Sequence, residues 1–213
     1  MPRLQVALDG DLTSALAILE KIHPFVDIAE VGTPLIFREG MNAVQQIRQA
    51  YPDLALLADL KIMDAGEEEA HIAYAAGADI VTVLGVTNDA TIKSAVNSAG
   101  QHHGQIMVDM MQVARQQERA TQLLQMGCHV LCVHTAYDLQ TSHHPPYREL
   151  EQLRQHLPSA QLAIAGGVNL EKLAEILPYQ PDIIVVGGAI TRAFDPAHNA
   201  QQLYQRIHAY ADS

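Results

Sequence analysis

The chain has 213 residues, 48% of them hydrophobic, two cysteines and a net charge of -11. That length carries one large domain or two small ones, with a core that needs neither disulfides nor a structural metal. The acidic balance argues against a nucleic-acid partner, while a small anion can still be held by a few local backbone amides.

The apolar runs, such as Ile183 to Val186, fall far short of the roughly 20 residues that cross a bilayer. The start, "MPRLQVALDG", has no apolar core of a signal peptide, so a cytoplasmic protein without membrane contact is expected. Cys128 and Cys132 have no second pair to complete a four-thiolate zinc site and read as reduced core residues.

Short β-branched runs recur along the chain: "LQVALD" 4 to 9, "VDIAEVG" 26 to 32, "ALLADLK" 55 to 61 and "DIVTVLG" 79 to 85. They continue with "QIMVDMM" 105 to 111, "HVLCVHT" 129 to 135, "QLAIAGG" 161 to 167 and "DIIVVGG" 182 to 188. Between them, apolar residues spaced by three and four, such as Leu12, Ala15, Leu16, Leu19 or Ala43, Val44, Ile47, predict helices packed on a sheet. Strand alternating with helix means parallel strands. Eight units of about 25 residues predict an α/β protein, a compact (β/α)8 TIM barrel forming a single domain over 1–213. An open doubly wound sheet is the alternative, but "DGDLTS" after the first strand is no dinucleotide fingerprint. No linker or low-complexity run marks a second domain.

Charges sit at the ends of these strands. In "ADLKIMDAGEEEA", 58 to 70, the alternation of a strand puts Asp59 and Lys61 on one face and Ala58, Leu60 and Ile62 on the other. A buried unpaired charge costs several kcal/mol, so these charges must be paired, metal-bound or used. In a barrel they would point inward at the C-terminal mouth. The same parity places Asp9 with Gln5 and Ala7, Glu30 with Val26 and Ile28, Asp109 with Met107 and Met111, and His134 with Val130 and Cys132.

Each of these has a plainer reading. Asp9, in "DGD" before Thr13 and Ser14, suits a helix cap, and Asp64 with Glu67 has the spacing of a capping box for a helix beginning near Gly66. Repetition on five strand ends, at the face where barrels keep their active sites, favours a site. Asp9, Glu30, Asp59 and Asp109 against Lys61 leave excess negative charge, which raised carboxylate pKa values or a divalent cation would offset. Oxygen ligands without cysteine favour Mg2+ or Mn2+. Of the eleven histidines, His102, His103, His143 and His144 read as solvated loop residues, and His134 has the position for proton transfer. The last two strands end in "AGGVN" and "VGGAI". Gly166, Gly167, Gly187 and Gly188 therefore open the backbone where barrels of this class hold phosphate on amides.

These motifs, with "EVGTPLI", "GADIVTVLGVTNDATI", "VDMM", "VHTAYDLQ", "AIAGGV" and "VVGGAIT", resemble those of the 3-hexulose-6-phosphate synthases, within the orotidine 5'-phosphate decarboxylase suprafamily. The likeness runs from about residue 4 to beyond residue 200, and its strongest element is the Asp-x-Lys-x-x-Asp of Asp59, Lys61 and Asp64. It implies an aldol reaction of formaldehyde with D-ribulose 5-phosphate through a cis-enediolate, assisted by Mg2+ or Mn2+ on Glu30 and Asp59. It further implies Lys61 as enediolate stabiliser, His134 as candidate for proton transfer with Asp109 orienting, and Asp9 on substrate hydroxyls or Lys61. The glycines would hold the phosphate, and Asp64 would complete the neighbouring site of a homodimer.

A related family, the 3-keto-L-gulonate 6-phosphate decarboxylases, resembles the chain less. Its His-Arg-Ser-Arg is replaced by His134, Thr135, Ala136 and Tyr137, and its Gly-Arg phosphate loop by Gly187 and Gly188. A ribulose-phosphate epimerase fits the motif series less well, and a non-catalytic sugar-phosphate-binding barrel leaves the converging charges unexplained.

Overall fold

The computed structural model describes residues 1–140 and 146–211. Eight parallel strands close into a barrel in chain order: β1 (Arg3–Leu8), β2 (Ile28–Val31), β3 (Ala55–Ile62), β4 (Ile80–Leu84), β5 (Gln105–Asp109), β6 (Val130–His134), β7 (Gln161–Ala165) and β8 (Ile183–Val186). Each lies within a residue or two of its predicted run. The outer helices are α1 (Leu12–Ile22), α2 (Thr33–Glu39), α3 (Asn42–Ala50), α4 (Gly66–Ala75), α5 (Asp89–His102), α6 (Gln116–Gln125) and α7 (Tyr147–His156). One-turn α8 (Leu173–Ile176) and α9 (Gly188–Thr191) precede the long α10 (Pro196–Ala211).

The expected division of faces holds along the strands, while Val26, just before β2, joins the outer core and not the face of Ile28 and Glu30. Outward residues such as Leu4, Val6, Ala58, Val81 and Ile164 join Leu19, Val44, Ile47 and Leu153 of the helices in one large core. The barrel interior has its own apolar floor, with Ile28, Leu57, Ile80, Met107, Val130 and Ile183. Above that floor the inward positions turn polar: Gln5, Glu30, Asp59, Thr82 and Asp109 are all buried. This change of chemistry along the barrel axis defines where a ligand can enter.

Three local features depart from the expectations. Asp11, and not Asp9, caps α1 by accepting from the Ser14 amide at 2.8 Å. The Asp64–Glu67 capping box does not form: the N-cap of α4 is Ala65 in the left-handed region (φ 50°), without a side-chain cap. Asp64 Oδ1 instead accepts from the adjacent Ala65 amide at 2.8 Å. The left-handed turn directs the carboxylate back over its own backbone, a conformation that spacing alone does not reveal. His102 is likewise no solvated loop residue, since it closes α5 with Nε2 2.8 Å from Nδ1 of His71. His103 follows it in an exposed left-handed turn (φ 54°). His143 and His144 lie outside the described residues.

Candidate active site

A cavity of about 980 Å³ opens at the C-terminal mouth, and its lining includes Asp9, Glu30, Asp59, Lys61, Asp109, His134, Gly166, Gly167, Gly187 and Gly188. Ten of the eleven predicted site residues thus meet in one place. Asp64, the eleventh, is exposed on the loop after β3 and is not part of this lining.

β3 supplies the centre of the site through an irregularity. The β3–β4 register shifts between Ala58 and Ile62, and Lys61 adopts a left-handed backbone (φ 49°). A non-glycine residue there costs on the order of 1–3 kcal/mol, which surrounding contacts must offset. Thr82 of β4 provides them: its hydroxyl accepts from the Lys61 amide at 2.9 Å and donates to Asp59 Oδ1 at 2.7 Å. Lys61 Nζ is thereby delivered to Asp59 Oδ2 in an ion pair, and lies 3.8 Å from Asp109 Oδ2. Thr33 Oγ1, opening α2, is 2.8 Å from the same Asp59 Oδ2.

The electrostatics follow from this packing. Burial by itself would lower the Lys61 pKa, but Asp59, Asp109 and Glu30 outweigh it, so the amine is held above its ordinary value and stays cationic. Burial, then the Asp59 charge, pushes the Glu30 carboxyl up to about 8, against the hydrogen bond from Gln5 Nε2 at 2.6 Å. Asp9, at the exposed rim, is raised by desolvation and by Asp59, with Lys61, Arg192 and Arg38 pulling the other way. Asp109 is buried, which would raise its pKa, yet the bond and charge of His134, Lys61 and the Met111 amide hold it below the usual range. The excess acidity read from the sequence therefore emerges as two raised carboxyls, Glu30 and Asp9.

His134 Nδ1 lies 2.8 Å from Asp109 Oδ2. A carboxylate can only accept, so Nδ1 carries the hydrogen, and Nε2 is the nitrogen of the neutral ring that can take a proton. This is the arrangement of an oriented general base.

The glycine pairs line the same mouth, Gly166 directly beside the end of the strand that carries His134. Gly166 (φ 98°) and Gly167 (φ 72°) have backbones that disfavour a side chain, and a Cβ on Gly166 would meet the backbone of Thr135, 2.8 Å from its nitrogen. Gly188 has another reason to be glycine: a Cβ there would fall 2.6 Å from Nε of Arg192. Arg192 is a site residue that the motifs do not single out, as are Gln5, Thr33 and Thr82. Strand parity could have found Gln5 and Thr82, because a polar inward residue in an apolar strand is unusual. Arg192, one helical turn beyond Gly188, carries no such signal, because spacing does not say where its side chain turns. Cys128 and Cys132 are free and buried, with Cys128 pushed up to about 12 by burial.

The model of the Orotidine 5'-phosphate decarboxylase / HUMPS family matches residues 2–203. The chain is 43% identical over 205 residues to a 3-hexulose-6-phosphate synthase of Bacillus subtilis, covering 96% of this chain and 98% of that one. Among solved structures, 3-hexulose-6-phosphate synthase from Salmonella typhimurium superposes with a TM-score of 0.95 at 39% identity, covering 98% of this chain and 99% of that one. The 3-keto-L-gulonate-6-phosphate decarboxylase from Vibrio cholerae does so with a TM-score of 0.84 at 28% identity, covering 98% of each. With that match over most of its length, and the family's motifs brought together at one mouth, this chain belongs to the orotidine 5'-phosphate decarboxylase / HUMPS family.

Proposed function

We propose that this protein is a 3-hexulose-6-phosphate synthase, joining formaldehyde to D-ribulose 5-phosphate to give D-arabino-hex-3-ulose 6-phosphate, and catalysing the reverse cleavage. The carrying observation is the identity gap: 43% and 39% to proteins named as the synthase against 28% to one named as the decarboxylase. The residues agree, since Thr135, Ala136 and Tyr137 follow His134 where the decarboxylase pattern has arginines.

In this reading His134 Nε2 removes the C1 proton of ribulose 5-phosphate, with Asp109 fixing the ring through Nδ1–H. The Lys61 ammonium stabilises the charge that grows on the enediolate oxygen, held ready by Asp59. C1 then forms its bond to the formaldehyde carbon, and the resulting alkoxide takes the proton back from His134. Asp9 engages substrate hydroxyls, and the backbone of Gly166, Gly167, Gly187 and Gly188 receives the phosphate.

The donors present fit Mg2+ or Mn2+. Glu30 and Asp59 offer carboxylate oxygens, and Gln5 Oε1 beside them is buried without a hydrogen-bond partner. Asp59 accepts from Lys61, Thr33 and Thr82, which leaves one of its four lone-pair positions for a cation. Among the described residues no group of three or more His, Cys, Asp or Glu side chains is placed to hold a metal ion, so the protein's share of the ligands would be these two carboxylates and the Gln5 amide oxygen. Two carboxylates with open positions suit magnesium, which keeps several waters. Such a cation, when bound, supplies Lewis-acid charge beside the carboxylates.

A homodimer in which Asp64 completes the partner's site is part of the proposal. Exposed Met63 precedes Asp64 and exposed Val86 lies on the loop after β4, and the Thr87 hydroxyl ties the two loops together through Met63 O at 2.6 Å. No helix among the described residues is long and apolar enough to cross a membrane, and a cytoplasmic setting suits two free thiols.

The test is formaldehyde consumption with ribulose 5-phosphate and Mg2+, run beside CO2 release from 3-keto-L-gulonate 6-phosphate. Rapid formaldehyde loss is expected. CO2 release without it would replace the synthase reading with the decarboxylase.

A further inference from the structure

Arg192 stands where the sequence promised no guanidinium. It is exposed at the C-terminal end of the one-turn α9, and its side chain folds back to line the cavity. Nη1 donates to the hydroxyl of Tyr137 at 3.0 Å, and Cζ lies 5.8 Å from the centre of that ring. A Cβ at Gly188 would fall 2.6 Å from Nε and 2.7 Å from Cζ, so the opposite edge of the guanidinium rests directly on the Gly188 backbone. Tyr137 itself is 65% exposed, on the loop after β6, and lines the same cavity. The Arg192–Tyr137 bridge therefore runs from the loop after β8 to the loop after β6, spanning the mouth past Gly166 and Gly167.

The pair is not a structural clamp of the usual kind. Where arginines of this protein hold the fold together they bury their heads in carbonyls: Arg48 reaches the carbonyls of Gly77, Pro52 and Leu54, and Arg154 those of Pro158, Ala160 and Gln180. Arg192 instead holds a neutral phenol at the surface, an arrangement that gives up little hydration and leaves donors of the fork for a stronger acceptor. Its neighbourhood also lacks a competing partner of full charge at bonding distance: Asp9 acts on it through space, and among the described residues no salt bridge of Arg192 is formed.

We propose that Arg192 is a specificity-determining ligand for the phosphate of the sugar phosphate, parked on Tyr137 until that dianion arrives at the glycine loops. The inference rests on reading those loops as the phosphate site. It adds a bidentate, charge-assisted contact that backbone amides do not supply. It also explains Gly188: a side chain at that position would evict the guanidinium from its place. Tyr137 keeps the fork from collapsing onto Asp9, so the charge is pre-oriented and little side-chain entropy is lost on binding.

The test measures inorganic phosphate as a competitive inhibitor, together with KM and kcat for ribulose 5-phosphate, in the full-length wild type, Arg192→Ala, Arg192→Lys and Tyr137→Phe. Loss of a remote contact made equally in ground and transition states raises KM and leaves kcat nearly unchanged. For Arg192→Ala the phosphate inhibition constant and the KM are expected to rise about 10- to 100-fold, with kcat within about 3-fold. Arg192→Lys should recover part of the loss, because lysine restores the charge without the fork. Tyr137→Phe should weaken phosphate by roughly 2- to 5-fold, the scale of one neutral hydrogen bond.

Wild-type inhibition by phosphate with an unchanged Arg192→Ala variant would overturn the role of Arg192 and leave the glycine loops standing. A wild type that phosphate does not inhibit, and whose Gly166 and Gly187 amide resonances do not move on adding phosphate, would remove the glycine reading and this inference with it. An Arg192→Ala variant that lost kcat with KM unchanged would place the residue in the chemistry and overturn the phosphate role.

Discussion

At the scale of single residues, the cavity assigns jobs by environment. Lys61 and His134 are both basic side chains within reach of Asp109, at 3.8 and 2.8 Å. Lys61 is kept charged by three carboxylates, so it can stabilise an anion but cannot take a proton near neutral pH, and the proposed reaction therefore gives that task to His134. Replacing His134 by Gln should lower kcat by about 10²- to 10⁴-fold, while Mn2+ binding, followed by the paramagnetic resonance of the free ion, stays as in the wild type. Retained turnover in that variant would move the base elsewhere. Asp109→Asn should cost a similar factor, because an amide can present its carbonyl or its NH2 to the ring and no longer fixes one tautomer.

Asp109 also predicts a pH effect on stability. Its folded pKa lies below the ordinary value, so the ionised form stabilises the fold above the unfolded-state pKa near 4, and that contribution is lost as pH falls through the folded value. Acid unfolding of Asp109→Asn should therefore be less steep than that of the wild type below about pH 4. Parallel acid limbs by circular dichroism would show that Asp109 makes no such contribution.

At the scale of elements, the loops that close the strands carry backbone conformations chosen for the site. Lys61 sits at φ 49° in the irregular end of β3, where a glycine would be at ease. Lys61→Gly relieves that strain but, like Lys61→Ala, leaves buried Asp59 and Asp109 without their cation; the glycine variant should therefore melt above the alanine one while neither shows measurable turnover, a comparison that thermal melts and the formaldehyde assay can read side by side. Gly166 is the opposite case. At φ 98° and against the Thr135 backbone, Gly166→Ala should lose about 1–3 kcal/mol from backbone strain alone, plus the cost of overpacking. In urea this would show as an earlier midpoint with an unchanged slope.

At the scale of the molecule, an apolar barrel floor and a polar mouth set what binding can do. The floor, from Ile28 and Leu57 to Ile183, keeps the strands packed whether or not a ligand is present, so removing a cation should affect turnover and not the fold. A chelator is expected to abolish formaldehyde consumption with the far-ultraviolet dichroism unchanged, and added Mg2+ or Mn2+ should restore it. Full activity in chelator would discard the metal proposal. The shared-site dimer makes a sharper forecast. If Asp64 serves the neighbour's cavity, two inactive variants, Lys61→Ala and Asp64→Ala, should regain part of the activity when co-expressed, because each mixed dimer contains one intact site. Absence of any recovery in mixed dimers isolated by differential tags would confine Asp64 to its own subunit.

The strands, their parallel order and the inward parity of Glu30, Asp59, Asp109 and His134 were all readable in the chain, because a two-residue alternation and a strand–helix rhythm are local properties that fix sidedness. Asp9 was placed at the rim for the same reason, although Asp11 took the capping role assigned to it. What spacing could not give was contact between distant segments. The Thr82 hydroxyl that steadies β3, the Gln5 amide on Glu30, and Arg192 lying over Gly188 beside Tyr137 all depend on how neighbouring strands register and where a side chain turns after its helix begins. The kinds of residue at the mouth follow from the sequence by itself. Which of them touch, and with what pKa, was decided by the closing of the barrel, since Coulomb and desolvation effects depend on distances between strands that the linear chain does not contain.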